Sequence, residues 1–493
     1  MNRSIAINAV KNYNSQNYTV EVPCPQCGAP VIIEETDHIL TCQYCRTRVA
    51  LACEDYCRYC IPPRDPKPES LFYIPFWRLR GLYYFINNLE IRKKFVDANI
   101  LSCPTPHMPY SLGVRCQTLT LHPIHPKMKG TFIRPQMTKQ KSLEKIEEMI
   151  NVSKGIQNNL DEISESPPQI LPPWALLKKR ELPLDIFKVE LNNLSLKLSK
   201  EDHNVEIMQK ENFENEKPMI DSDGLTEFIG ETISMIYFPI YIKKDNLYDG
   251  VLHTPFSNHP IKENDLKSFK QDTMNWKLDL IPLNCPECGW ELPAHRDSIL
   301  FPCKYCSNSW LLYKNQFRKC NMGIVESEKE CSIYMPFWKM VVETKGLIEK
   351  TYKDQIKRNF RIQSDATEKD RTEATFWSPA FKLVPDIFIQ TARNVSTHNP
   401  KLKYKQDISE NRLFPVTLPA TEALESVRLI IALMAESKEN VFPLLSTLQI
   451  HPKQAMIVYL PFTMRGVELI QEDMHFSFFH SAIRDRTRVT DIL

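Results

Sequence analysis

Two cysteine quartets in one register, 261 residues apart, constrain this chain more than any other feature. The first is Cys24-Pro-Gln-Cys27-Gly28 followed by Cys42-Gln-Tyr-Cys45, and the second is Cys285-Pro-Glu-Cys288-Gly289 followed by Cys303-Lys-Tyr-Cys306. Fourteen residues separate the two CxxC pairs in both. Downstream, Tyr73-Ile-Pro-Phe-Trp77 and Tyr334-Met-Pro-Phe-Trp338 repeat at the same offset. Eight cysteines and a PFW tripeptide in one register point to an internal duplication.

The quartets also dictate metal chemistry. A CxxC turn aims two sulfurs at one ion, and glycine after the second cysteine lets the tight knuckle form. Two knuckles on neighbouring hairpins close a four-sulfur site with no open position for water, so each is expected to be structural rather than catalytic. The expected ligands are Cys24, Cys27, Cys42 and Cys45 for one zinc ion, and Cys285, Cys288, Cys303 and Cys306 for a second. Iron, as in rubredoxin, is the alternative ion.

Composition narrows the rest. With 493 residues the chain can bury several cores, and a net charge of +2 imposes no bulk electrostatic partner. No run approaches the roughly 18 apolar residues that a membrane-spanning helix needs. The first twenty residues lack both the apolar core of a signal peptide and an arginine-rich transit pattern. Cysteines in CxxC pairs suit a reducing compartment, so the expected location is the cytoplasm. The chain has only 12 glycines, the nearest two being Gly224 and Gly230. GxGxxG, GxxxxGK[ST] and GxSxG loops are therefore absent, and HExxH is missing too.

Cys53, Cys57 and Cys60 follow the first quartet and have no counterpart after the second. Their spacing resembles the CxxxCxxC cluster loop of radical SAM enzymes, which implies an iron–sulfur cluster. Pro62 and Pro63 stand where those enzymes continue into a helix, and the glycines expected for SAM are missing. The alternatives are a third metal site, completed by Cys103, Cys116, His107, His122 or His125, and ordinary packed thiols, the simplest of the three.

The PFW motifs read as strands entered through Pro75 and its partner, with Phe76, Trp77, Phe337 and Trp338 as core anchors. Ile236-Tyr-Phe-Pro239-Ile-Tyr241 and Tyr459-Leu-Pro-Phe462 echo them. Residues 78–141 are basic, with Arg78, Arg80, Arg92, Lys93, Lys94, Arg115 and others against only Glu90 and Asp97, a candidate nucleic-acid footprint.

The expected organisation is a polar tail over 1–20, a zinc ribbon over 21–62, and a β-rich module with a helical insert over 63–199. An acidic linker over 200–224 and a strand module over 225–276 follow. A second ribbon over 277–314 then precedes a β-rich module over 315–493. Helices are expected over Ser142 to Ile163 and over 421–437, the latter capped by Thr421, and a strand is expected at Leu194 to Leu198. The fold class is α+β and β-rich, in two halves that each open with a ribbon.

At the ribbons the chain resembles transcription factor IIB-type zinc-ribbon proteins. As a set, Cys285 to Trp290, Cys303 to Cys306, Pro336 to Trp338 and Phe376 to Lys382 resemble uncharacterised bacterial tandem zinc-ribbon proteins with CPxCGW, CxxC, PFW and FWSPAFK motifs. The first half matches only the ribbon and PFW parts. The resemblance implies two structural zinc ions and β-rich modules, and it supplies no activity.

With no catalytic constellation in view, the expected function is a non-enzymatic zinc-stabilised scaffold or adaptor that binds other proteins. The alternatives are a nucleic-acid-binding zinc-ribbon protein and an iron–sulfur or radical enzyme through Cys53, Cys57 and Cys60.

Overall fold

A computed structural model describes residues 20–33, 39–52, 56–64, 71–87, 90–103, 108–146, 148, 225–256, 266–272, 279–345, 372–405 and 412–493, apart from 114, 120, 125–127, 314, 328–330, 401, 436 and 486. The expected strand at 194–198 and the expected linker at 200–224 lie outside them. Strands dominate, as the α+β, β-rich expectation requires.

The first quartet sits on two hairpins. Strand β1 (Val20–Pro23) pairs with β2 (Pro30–Ile33), and β3 (Ile39–Thr41) pairs with β4 (Arg48–Ala52), both antiparallel. A seven-stranded sheet follows, built from β5 (Cys57–Cys60), β6 (Leu71–Asn87), β7 (Glu90–Leu101), β8 (His122–Pro123), β9 (Thr131–Phe132), β10 (Leu225–Lys243) and β11 (Asn246–Asp249). Its main path runs β7-β6-β10-β5-β8, with β5 parallel to β10. Residues 225–243, expected to open a separate strand module, thus occupy the middle of this sheet.

The sheet is apolar on both faces because alternate residues of β6 and β10 feed two cores. Phe72, Ile74 and Phe76 pack with Ile236, Phe238 and Ile240, while Tyr73, Trp77 and Leu79 pack with Met235 and Tyr237 on the other side. Farther along β6, Leu82, Tyr84 and Ile86 enter the core of the second half.

Strand β12 (Asp279–Pro282) then pairs antiparallel with β4 of the first ribbon, giving a three-stranded sheet in the order β12-β4-β3. The second quartet lies around β13 (Leu300–Pro302), β14 (Ser309–Tyr313) and β15 (Gln316–Cys320), another antiparallel trio. The two ribbons share cores: Leu280 packs into the first and Ala50 into the second.

The second seven-stranded sheet comprises β16 (Met322–Val325), β17 (Ile333–Lys345), β18 (Thr372–Pro379), β19 (Tyr404–Lys405), β20 (Gln449–Arg465), β21 (Glu468–Gln471) and β22 (Phe476–Phe479). Its path, β18-β17-β20-β16-β19, follows the plan of the first, including a parallel pair, β16 with β20. Both sheets cross-pair their YxP motifs. Pro75 faces Tyr237 and Tyr73 faces Pro239; Pro336 faces Tyr459 and Tyr334 faces Pro461. Each long ladder carries one register shift, leaving Glu231 as the extra residue in β10 and Lys453 in β20. Both stand six residues before the tyrosine of their motif.

Pro75 and Pro336 do not enter their strands; they lie inside them. The carbonyl of Pro75 accepts from Ser102 N at 2.9 Å, and that of Pro336 from Ala380 N at 3.0 Å. In an antiparallel strand N–H and C=O of one residue point the same way, here toward the neighbouring strand's end. The ladders on that side begin only at Phe76 and Phe337, so the missing N–H breaks no pair. Phe76, Trp77, Phe337 and Trp338 are buried, as core anchors should be.

Three helices cover the second sheet: α1 (Pro385–His398), α2 (Ala420–Met434) and α3 (Lys438–Leu445). Helix α1 lies beyond the expected elements, although Pro385 starts it and Phe388, Ile389, Ala392 and Val395 form its buried stripe. Helix α2 stops at Met434, short of the expected 437. Its cap is Pro419 rather than Thr421, whose hydroxyl instead donates to Glu422 Oε2 at 2.8 Å. The residue before that cap is held by Trp338, whose indole N–H donates to Leu418 O at 2.8 Å. In the first half, helical residues run over 139–146 and at 148, starting three residues before the expected Ser142.

The halves touch through named contacts. Tyr84 donates to Pro385 O at 2.9 Å, Arg428 Nη1 meets Glu227 Oε1 at 2.7 Å, Lys93 pairs with Asp386, and the Arg484 guanidinium lies 3.5 Å from the Phe95 ring centre. No described helix is long and apolar enough to cross a membrane.

Candidate metal centres

Each quartet is assembled from two knuckles with the same backbone pattern. The N–H of the first cysteine donates to the carbonyl five residues on, at 2.7–3.0 Å, in the pairs Cys24–Ala29, Cys42–Thr47, Cys285–Trp290 and Cys303–Asn308. The return bond runs from Gly28, Arg46, Gly289 and Ser307 to the carbonyls of those cysteines. All four return residues have positive φ: +74° at Gly28, +61° at Arg46, +77° at Gly289 and +56° at Ser307. Glycine takes that conformation freely and fills one knuckle per ribbon.

The sulfurs converge. Cys24 Sγ lies 3.7 Å from Cys45 Sγ, and Cys27 Sγ lies 3.7 Å from Cys42 Sγ. In the second quartet Cys285–Cys306 and Cys288–Cys303 are separated by 3.6 and 3.5 Å. All ligand atoms of each quartet lie within 4.8 Å of one another. A tetrahedron with metal–sulfur bonds of about 2.3 Å has edges of about 3.8 Å. Either four-cysteine group could hold a metal ion, and two ions per chain are compatible with the geometry.

Donors surround the sulfurs. Trp310 Nε1 donates to Cys285 Sγ at 3.2 Å and Asn308 Nδ2 to Cys306 Sγ at 3.4 Å. In the first ribbon the Thr47 hydroxyl lies 3.3 Å from Cys45 Sγ. Thr47 and Asn308 stand at the same position, two residues after the last cysteine. This is a legible polar signal that the cysteine spacing overshadows. Hydrogen bonds to the side chain and backbone of Thr47 draw the Cys45 thiol down to about 6. At Cys285 burial pushes the thiol up, but backbone hydrogen bonds from Cys288 and Glu287 outweigh it and bring it to about 7. At Cys27 the backbone bond from Ala29 lowers the value, yet burial and the neighbouring sulfurs raise it to about 11. Cysteine ligates as the thiolate, so filling the cluster with a cation releases protons.

The remaining cysteines behave differently. Cys57 packs against one core of the first sheet and Cys60 is fully buried in the other, on the opposite face of β5. Burial pushes the Cys60 thiol up to about 12. Two ligands on opposite faces of a strand do not reach one ion; this is the arrangement of packed thiols. Cys103 and Cys116 are buried with the Cys57 core. Cys53, His107 and His125 lie outside the described residues. Among the described residues no third group of ligand side chains is close enough for an ion.

The basic stretch is partly neutralised internally. Arg78 grips Asp97 through Nε and Nη2, both at 2.8 Å, Arg115 meets the buried Asp249 at 2.5 Å, and Arg80 lies over Phe95. The second ribbon displays instead an aromatic pair. Trp290 and Tyr305 stack with centroids 4.0 Å apart and planes 11° from parallel, while 54% and 62% exposed. Tyr44, the counterpart of Tyr305, is also exposed.

No family model, no curated protein and no solved structure matches the chain.

Proposed function

We propose that this chain is a non-enzymatic scaffold or adaptor of the cytoplasm, stabilised by two zinc ions, that binds other proteins. The observation that carries this reading is the closure of both quartets: four sulfurs at tetrahedral spacing fill the coordination of a zinc ion and leave no position for substrate. The stacked pair Trp290 and Tyr305 supports a protein partner, because exposed aromatics on a rigid element are frequent interface anchors. The shared strand plan, the matching position of the extra residue in each long ladder and the two indole-to-carbonyl bonds support descent of both halves from one ribbon-plus-sheet unit.

The test begins with metal content and an absorption spectrum of protein purified anaerobically without added metal. Two zincs per chain and a colourless solution are expected; iron with labile sulfide would sink the reading. Affinity capture then compares the wild type with Trp290→Ala/Tyr305→Ala. A protein partner retained at high salt by the wild type and lost by the variant is expected. Capture of nucleic acid with steep salt dependence would favour the alternative.

A further inference from the structure

Where the second ribbon meets the second sheet module, a cavity of about 290 Å³ opens between them. The junction is fixed by the backbone bond from Ile299 N to Val416 O at 2.9 Å, and Leu300 is part of the second half's core. The opening is therefore held between two anchored elements.

The lining mixes apolar and charged side chains. Leu413 and Phe414 are among the apolar ones. Lys304, Arg412 and Asp491 supply the charges, and His295 adds an imidazole. Neither the Lys304 ammonium nor the Arg412 guanidinium has an ion-pair or hydrogen-bond partner among the described residues, and the His295 ring makes no hydrogen bond there. The one acidic group is already engaged: Asp491 Oδ2 accepts from Arg488 N at 2.9 Å. Two permanent cations and an imidazole thus share a cavity of mixed polar and apolar lining with a single carboxylate.

We propose that this cavity binds a small organic anion, a carboxylate or phosphate group on a single-ring apolar body. Lys304 and Arg412 hold the anionic group, the guanidinium through its planar fork, and the ring packs against Leu413 and Phe414. Burial holds the His295 imidazole toward its neutral form, with Arg48 adding to that effect and Asp491 opposing it. Neutral His295 donates one hydrogen bond without adding a third charge. The volume is ample for one aromatic ring with its anionic group, since a cavity of about 150 Å³ already holds benzene. The 261-residue offset places Glu34 and Gln43 where the second ribbon has His295 and Lys304, so this polar lining belongs to the second half alone.

The experiment is isothermal titration of the zinc-loaded full chain with phenyl phosphate and with benzoate, using benzyl alcohol as the uncharged control. One equivalent of an anion is expected to bind at about 1 mM or tighter, the range a ligand of this size reaches, while benzyl alcohol does not bind. The relative affinity of the two anions identifies the preferred group. Lys304→Gln and Arg412→Gln each weaken binding roughly tenfold. No saturable binding, equal binding of benzyl alcohol, or unchanged binding in the double variant overturns the proposal. A readout on the unmodified chain stands beside the variants. The His295 ring proton signal, assigned by comparison with His295→Asn, must shift with the same stoichiometry, and a signal that stays still overturns the site.

Discussion

Trp77 and Trp338 make the same bond in the two halves of the chain: each indole N–H donates at 2.8 Å to a backbone carbonyl, of Met137 in the first half and of Leu418 in the second. Each carbonyl belongs to a segment that runs from a short extended stretch into a helix, so the tryptophan of the PFW strand fixes the helix's point of departure. Trp77→Phe and Trp338→Phe should each cost about 1–3 kcal/mol, from a buried acceptor left without its donor and a smaller ring in the core. Urea unfolding measures both, and a cost confined to one half would break the equivalence.

The knuckles make a prediction with two signs. Gly28 and Gly289 have open space where a Cβ would stand, so Gly28→Ala and Gly289→Ala test backbone conformation alone. Each should lose about 1–2 kcal/mol. Arg46→Gly and Ser307→Gly relieve the same left-handed conformation and should gain up to about 1 kcal/mol. Thermal unfolding reads the order, and a loss in the glycine-introducing variants contradicts it.

Between the halves, Arg428 binds Glu227 and also donates to Leu448 O, at 3.0 Å from Nη2. Burial raises the Glu227 carboxyl, and the Arg428 guanidinium beside it pulls the other way. Removing the arginine strands a carboxyl in the interface. Arg428→Ala should cost about 3 kcal/mol, and Glu227→Gln about 1–2 kcal/mol. A double-mutant cycle should show coupling of about 1 kcal/mol or more, and simple additivity would show the pair to be inert.

Asp485 makes stability depend on pH. Its carboxylate accepts from Lys382 N at 3.0 Å, yet burial raises the group to about 6, with Lys382 lowering it less than burial raises it. Its folded value lies above the ordinary 3.8. The folded chain therefore holds a proton that the unfolded chain releases. This contribution is full below about pH 4 and lost as pH rises through 6. Asp485→Asn removes it, so the stability of wild type minus variant should fall by roughly 2 kcal/mol between pH 4 and 7. Taking the difference cancels acid release from the cysteines. A flat difference would place the carboxyl in contact with water.

Much of this molecule is legible in sequence because its strongest features are local. A CxxC knuckle is closed by bonds within six residues, so Cys24 to Gly28 and Cys285 to Gly289 announce themselves. The YxP tyrosines and prolines are visible too, but their mutual facing depends on pairing across more than a hundred residues, which spacing does not encode. Pro75 and Pro336 mislead, since a proline reads as a strand boundary unless the neighbouring ladder's end is known. The Thr421 cap fails for a similar reason: the tertiary bond from Trp338 to Leu418 sets where α2 starts. Helix α1 has a readable apolar stripe, obscured by the prolines around it. The cavity side chains His295, Lys304 and Arg412 are brought together by the docking of ribbon and sheet, and no linear pattern joins them.

The pairing of β4 with β12 gives the first ribbon a temporal problem. Ala52 finds its partner in Asp279, and Val49 finds its partner in Pro282. During synthesis at about 5–20 residues per second, the outer edge of β4 leaves the ribosome roughly 10–45 s before the strand that covers it. For that interval the ribbon presents unpaired backbone donors and acceptors, a template for another chain on the same messenger. Nascent chains are therefore exposed to pairing with one another until the strand that opens the second ribbon emerges.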